Sequence, residues 1–462
     1  MLMLRKHASL SLIVLVCMIE FSCALPAASQ DEARPRNVIM FIADGCGPAS
    51  FTYARDYLRY QGGEALTLDS LQVGSVHTFA SNSRVTDSAA GATALACGVK
   101  TYNGAIAVDA EQQPVATVLE AAEARGMATG LIATSRITHA TPASYAAHVP
   151  QRIMEAEIAA QMMEQNIEVL FGGGRAFFVP QEDGGRRADG RNLLGEATGK
   201  GVQVLQSRAD FDGTVQTPVL GLFTDDHMAY EVDRDAALEP SLAEMTAKAI
   251  DLLSQDPDGF FLMVEGSRID HAAHGNDAAG HLHDILAYDR AVAEALAFAR
   301  EDGRTLIVST SDHETGGLTL GRNLDGRPQY TWHPEVIENI PASHGGLLNM
   351  ARSDSLTVCA LFSERLGIEC TEEEAAQFER ALAGEASMNF TMAEVIARRA
   401  GLGWTTGGHT AVDVNLYAFG LGRDRFIGHY DNTAVGQRIA ELLDFDLAAL
   451  TEALRRERSE SQ

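Results

Sequence analysis

Three short apolar runs in this 462-residue chain lead into residues able to ligate a cation. Residues 37–43 run into Asp44, residues 260–264 into Glu265, and residues 305–309 are followed within four positions by Asp312 and His313. If these runs are buried parallel strands, their carboxyl ends share one edge of a sheet, where the ligand sites of open α/β folds form. Carboxylates gathered there repel one another unless cations share the site. Asp270 and His274, just beyond Glu265, are spaced to project from one face of a helix, and carboxylate plus imidazole is a donor set suited to zinc. Alone, that pair is an ordinary surface pair; its place behind a buried run gives it chemical weight.

The segment Thr86-Asp87-Ser88-Ala89-Ala90-Gly91 adds a hydroxyl. Small residues at a helix start let backbone N–H groups approach an anion at the positive end of the helix. No Gly-x-Ser-x-Gly surrounds Ser88, which argues against an α/β-hydrolase triad. A serine without an obvious general base needs another activator, and a metal ion is the natural one.

The elements that must position these groups are legible as alternation. Apolar runs at 37–43, 129–134, 169–171, 260–264, 305–309 and 415–419 are too short for helices and read as buried strands. Between them, 114–125, 152–165, 241–254 and 281–300 carry apolar residues at helical spacing. Ser241 with Glu244, Thr371 with Glu374 and Thr391 with Glu394 have capping-box spacing. The expectation is an α/β fold: a mostly parallel central sheet with helices on both faces. Residues 172–218 read as a long surface excursion, and 340–402 as a helical insert.

At 46% hydrophobic and 21% charged residues the chain is globular, not disordered or fibrous. Its 36 basic against 63 acidic residues give −27, which excludes a groove that neutralises nucleic-acid phosphates. Arg5 and Lys6 precede an apolar run at 10–19, too short to span a membrane. With Ser22-Cys23-Ala24 after it, residues 1–28 read as a secretory signal cleaved near Ala24, or else a lipoprotein signal with a lipid anchor at Cys23. Residues 29–462 are then one exported catalytic domain, periplasmic or extracellular. Of the remaining cysteines, Cys359 and Cys370 could staple a surface loop, while Cys46 and Cys97 fit as small buried thiols.

Taken together, Asp44-Gly45, Asp87-Ser88-Ala89, Glu265-Gly266 with Asp270 and His274, Asp312-His313-Glu314 and Gly408-His409-Thr410 resemble, in order, the motifs of alkaline phosphatases. The resemblance runs from about 37 to 420, outside the two insert-like stretches. It implies a three-layer sandwich, a homodimer, and hydrolysis of small phosphate monoesters through a phosphoserine on Ser88. It further implies two Zn2+ and one Mg2+. Asp270, His274 and His409 would hold one zinc; Asp44, Asp312 and His313 the other; Asp44, Thr141 and Glu265 the magnesium. Arg152 matches the family's phosphate-binding arginine, with Asp87, Ser88, His139 and His271 also at the substrate. His139 and His271 stand where some bacterial members carry Asp and Lys, and animal members His. The animal members' extra calcium site is not expected, because Thr224 stands where a Glu would be needed. A phosphodiesterase or sulfatase of the same superfamily is the alternative, and Arg152 disfavours it.

Overall fold

The computed structural model describes residues 34–461. The expected signal segment and Cys23 lie outside the described residues.

Ten strands form one sheet: β1 Asn37–Ile42, β2 Gln72–His77, β3 Ala128–Arg136, β4 Val169–Gly173, β5 Gln203–Leu205, β6 Val219–Leu222, β7 Phe260–Glu265, β8 Thr305–Thr310, β9 Val414–Phe419 and β10 Gly428–Asp431. Their order is β10-β2-β9-β8-β1-β7-β3-β4-β6-β5, and β9 alone runs antiparallel to its neighbours. The central strand β1 is buried on both faces, as its unbroken apolar sequence requires. Alternation along it sends Val38, Met40 and Ile42 to one core and Ile39 and Phe41 to the other.

Helices seal both cores. On one face lie Pro48–Tyr60, Leu242–Leu253 and Ala278–Asp302; on the other lie Ser88–Cys97, Ala140–Ala146 and Thr433–Leu443. We label them in chain order α1 (48–60), α2 (88–97), α3 (140–146), α4 (242–253), α5 (Arg268–His274), α6 (278–302) and, in the insert, α7 (His344–Ser353), α8 (Glu372–Leu382) and α9 (Met388–Ala400), followed by α10 (433–443). Burying each large aliphatic side chain contributes about 1.5–3 kcal/mol. A sheet held this way can keep like-charged groups together at its edge.

Register decides what stands there. Ile42 pairs with Glu265 on β7 and with Thr310 on β8, so Asp44, Glu265 and Asp312 emerge side by side. Because β9 runs the other way, the loop before it, carrying His409, reaches that same edge.

Several local expectations needed correction. Residues 172–218 are not only a surface excursion: they contribute β5, an edge strand too short to give a hydrophobic pattern. β2 and β10 were also hidden, since their exposed, polar positions break any apolar run. The helix expected from 152 spans Glu155–Met162, leaving Arg152 in the loop before it, where its N–H donates to the Gly104 carbonyl at 2.8 Å. Ser241–Glu244 and Thr371–Glu374 form the expected capping boxes. Thr391–Glu394 does not. Helix α9 begins earlier, capped by Ser387, and the Thr391 hydroxyl donates back to the Ser387 carbonyl at 2.9 Å. Cys359 and Cys370 are disulfide-bonded across the insert, and Cys46 and Cys97 are free and buried. Among the described residues no helix is long and apolar enough to cross a membrane.

Candidate active site

Ser88 opens α2, whose residues are all buried. Asp87 caps the helix through Oδ1, which accepts from the Ala90 N–H at 3.0 Å, and its other oxygen, Oδ2, accepts from Arg152 Nη1 at 3.1 Å. The small residues of α2 let it pack on the site: a side chain on Gly91 would meet the Asp312 carbonyl at 3.0 Å. Ser88 Oγ lies 3.2 Å from His313 Nε2, which is also 3.2 Å from Asp312 Oδ2 and 3.5 Å from Asp44 Oδ1.

The imidazoles share one design. His274 Nδ1 is held by the Gly407 carbonyl at 2.8 Å, and His409 Nδ1 by the Thr86 carbonyl at 2.8 Å. A carbonyl can only accept, so each Nδ1 carries the proton and each Nε2 presents a lone pair. Those two Nε2 atoms face each other at 3.2 Å, with Asp270 oxygens 3.2 Å from His274 Nε2 and 3.7 Å from His409 Nε2. Lone pairs aimed at a common point are an invitation to a cation. His313 packs flat on His409, ring centroids 3.6 Å apart.

The carboxylates tell the same story. Both oxygens of Asp44, both of Glu265, Oδ2 of Asp312 and the hydroxyl of Thr141 are buried with no hydrogen-bond partner. Buried polar atoms are nearly always satisfied, so six orphans at one place call for an absent ligand. Burial, then the charges of Asp312 and Asp270, push the Asp44 carboxyl well above its usual range. Burial pushes Glu265 to about 7. Asp270 goes the other way, because the His274 hydrogen bond and the charge of His313 outweigh its burial. Without a cation that same hydrogen bond raises His274 to about 9, so the Nε2 lone pair becomes available as a bound cation displaces the proton shared with Asp270. Donor atoms converge in three groups: Asp270, His274 and His409; Asp44, Asp270 and His313; and Asp44, His139 and Glu265. The first is the set expected from sequence; in the second Asp270 stands where Asp312 was expected, and in the third His139 accompanies Asp44 and Glu265 where the Thr141 hydroxyl was expected.

Gly45 shows how tightly this is built. Its φ is +70°, and a side chain there would lie 2.6 Å from Asp270 Oδ1.

On the far side of Asp87, Arg152 Nη2 donates to His139 Nε2 at 3.0 Å, and Arg268 Nη1 contacts His271 Nδ1 at 2.8 Å. Burial and then the neighbouring guanidinium hold both rings neutral, His139 beside Arg152 and His271 beside Arg268.

Comparison with known proteins decides the family. A model of the family "Alkaline phosphatase" matches residues 35–445. The repressible alkaline phosphatase of Saccharomyces cerevisiae is 39% identical over 94% of this chain and 85% of its own. Alkaline phosphatase 3 of Bacillus subtilis is 36% identical over 92% and 94% respectively. The crystal structure of a cold-active alkaline phosphatase from Shewanella sp. superposes with a TM-score of 0.80 at 35% identity, covering 88% of this chain and 99% of that one.

The chain belongs to the alkaline phosphatase family.

Of the residues expected at an alkaline phosphatase site, Ser88, Asp44, Asp312, His313, Asp270, His274 and His409 stand in direct contact, and Glu265 converges with Asp44 and His139. Asp87 and Arg152 adjoin Ser88 and His139, His271 packs on His139, and Thr141 presents a buried hydroxyl without a partner. Sequence reasoning missed three neighbours. The Thr315 hydroxyl donates to Asp270 Oδ1 at 2.6 Å and lies 3.2 Å from His313 Nδ1, bridging two of the donor groups. Its place two residues beyond His313 was the available signal. His227 packs against His271 and His139, centroids 4.4 and 5.4 Å apart, from a loop whose sequence shows no motif. Arg268 was hidden as one more helical charge.

Proposed function

We propose that this alkaline phosphatase hydrolyses phosphate monoesters in two steps through a phosphoserine at residue 88. The carrying observation is the contact of Ser88 Oγ with His313 beside a cluster of buried, unpartnered carboxylate oxygens. The donor chemistry fits divalent cations: nitrogen-bearing sets suit zinc, and the oxygen-rich set suits a harder ion. Asp270, His274 and His409 would hold one zinc, and Asp44, Asp312 and His313 the second. Asp44, Glu265 and Thr141 would hold magnesium, with His139 beside them. When bound, such ions supply Lewis-acid stabilisation of the attacking and departing oxygens.

The chain's own groups do the rest. In the first step a bond forms from Ser88 Oγ to phosphorus, the ester P–O bond breaks, and the alcohol leaves. In the second, water takes the phosphoryl group from Ser88, releasing inorganic phosphate and restoring the hydroxyl. Arg152 offers a planar fork for two equatorial phosphate oxygens, already oriented by Asp87 and His139. Neutral His139 steadies Arg152 by accepting at Nε2, and neutral His271 packs against the His139 ring, so neither ring adds charge next to the phosphate. Residues 1–28 extend the reading to export, and the family resemblance to a homodimer.

Phosphate release from p-nitrophenyl phosphate and bis(p-nitrophenyl) phosphate, each before and after chelation, tests this. The expected result is a strong monoester preference abolished by chelator and restored by zinc with magnesium. Diester preference, or activity indifferent to chelation, contradicts it.

A further inference from the structure

The site opens at one ligand. The His274 side chain is 40% exposed, against 14% for His409, 4% for Asp270 and 0% for Asp44, Asp312 and His313. Contacts run from buried Ser88 through His313 and His409 to His274, so the nucleophile and the mouth lie at opposite ends of the cluster. In-line displacement sends the departing oxygen away from Ser88, and so toward His274.

Beside that mouth stands an aromatic ring from the helical insert. Phe390, in the first turn of α9, covers Gly407: a side chain on that glycine would lie 2.5 Å from Phe390 Cζ and 3.1 Å from the His274 carbonyl. The Gly407 carbonyl is the group that holds His274 Nδ1. Phe390 nevertheless keeps 45% of its surface exposed, although the insert has a core that could have taken it in. Trp404, at the start of the same loop, turns inward instead and packs on Gly316.

We propose that Phe390 forms a subsite for the alcohol half of the substrate, favouring phosphate monoesters whose leaving group is aromatic or otherwise broadly apolar. This rests on the monoesterase reading and adds to it which esters are preferred. The ring meets the part of the substrate that leaves, not the phosphoryl group, so it acts on choice between esters and not on phosphate affinity.

The test compares 2-naphthyl phosphate with glycerol 2-phosphate on the zinc- and magnesium-loaded enzyme. Phe390→Ala lowers kcat/KM for the naphthyl ester about five- to ten-fold, the range of one aromatic contact. The glycerol ester and the inhibition constant of inorganic phosphate stay within about two-fold, a change too small to represent an aromatic contact, and Phe390→Trp restores the naphthyl rate. Zinc content and thermal unfolding confirm that each variant is intact. An equal fall for both esters makes Phe390 a prop for the Gly407 loop and overturns the subsite. An unchanged naphthyl rate overturns it too. A wild-type enzyme that releases phosphate from neither ester brings down the monoesterase reading as well.

Discussion

Removing one buried carboxylate should stabilise the metal-free protein at alkaline pH while weakening the loaded one. Glu265 is fully buried, both its oxygens lack partners, and its carboxyl is raised from 4.5 to about 7, first by burial and then by the charge of Asp312. A folded-state pKa above the unfolded value means that the folded chain holds its proton longer. Its stabilising share is complete below about pH 4.5 and is lost as pH rises through about 7. A rise of about 2.5 pH units at about 1.36 kcal/mol per unit makes the alkaline penalty roughly 3 kcal/mol. Asp44, raised in the same direction by burial and its acidic neighbours, adds to that slope. Glu265→Gln keeps the shape and removes the charge. Urea unfolding of chelator-treated wild type and variant, from pH 4 to 9, should give equal stability near pH 4. Near pH 8.5 the variant should be more stable by about 3 kcal/mol. With zinc and magnesium saturating, the order should reverse, because the variant has lost an anionic ligand. If metal-free wild type is as stable at pH 8.5 as at pH 5, or the variant gains nothing there, the carboxylate cluster is not under the electrostatic load inferred for it.

Other outcomes follow from the same geometry. Ser88→Ala should cut kcat by several orders of magnitude while elemental analysis finds the metals unchanged, since the hydroxyl reacts but the neighbouring side chains bind. Arg152→Lys should raise the inhibition constant of inorganic phosphate at least about ten-fold with little change in Tm, because an ammonium cannot reproduce the planar fork. In the insert, Arg399 holds the Glu374 carboxyl down at about 2 through a bidentate pair. A depressed pKa contributes above about 4.5 and is lost as pH falls toward 2, so the insert should become protease-sensitive in that acid window and Glu374→Gln should flatten the transition.

Much of the site was legible because its chemistry sits at strand ends. An unbroken apolar run can be recognised alone, and the residue that follows it is then placed at the sheet edge without knowledge of the partners. Asp44, Glu265 and Asp312 were readable in this way. His409 was not, since only the reversed direction of β9 brings its loop back, and resemblance to the family supplied it. Four strands escaped notice: β2, β5 and β10 lie at or near the sheet margins, where one face or one edge meets solvent and no hydrophobic pattern is required, while β6, though buried, is only four residues long and broken by Gly221. Thr391–Glu394 shows the opposite failure: the right residue types at the right spacing, overridden because Ser387 caps the helix one turn earlier. His227 and Arg268 could not be read at all. His227 reaches His271 and His139 from a separate loop, which tertiary packing alone defines, and Arg268, one turn before His271 on α5, has nothing in its type or spacing to set it apart from a surface charge.

The most direct measurement is anomalous X-ray scattering at the zinc edge from crystals grown with zinc, magnesium and phosphate. Two zinc peaks should appear, one among Asp270, His274 and His409 and one among Asp44, Asp312 and His313. Phosphate should lie between Ser88 and Arg152. Absence of zinc from both positions, or phosphate bound away from Ser88, would contradict a cation-centred phosphoryl-transfer site.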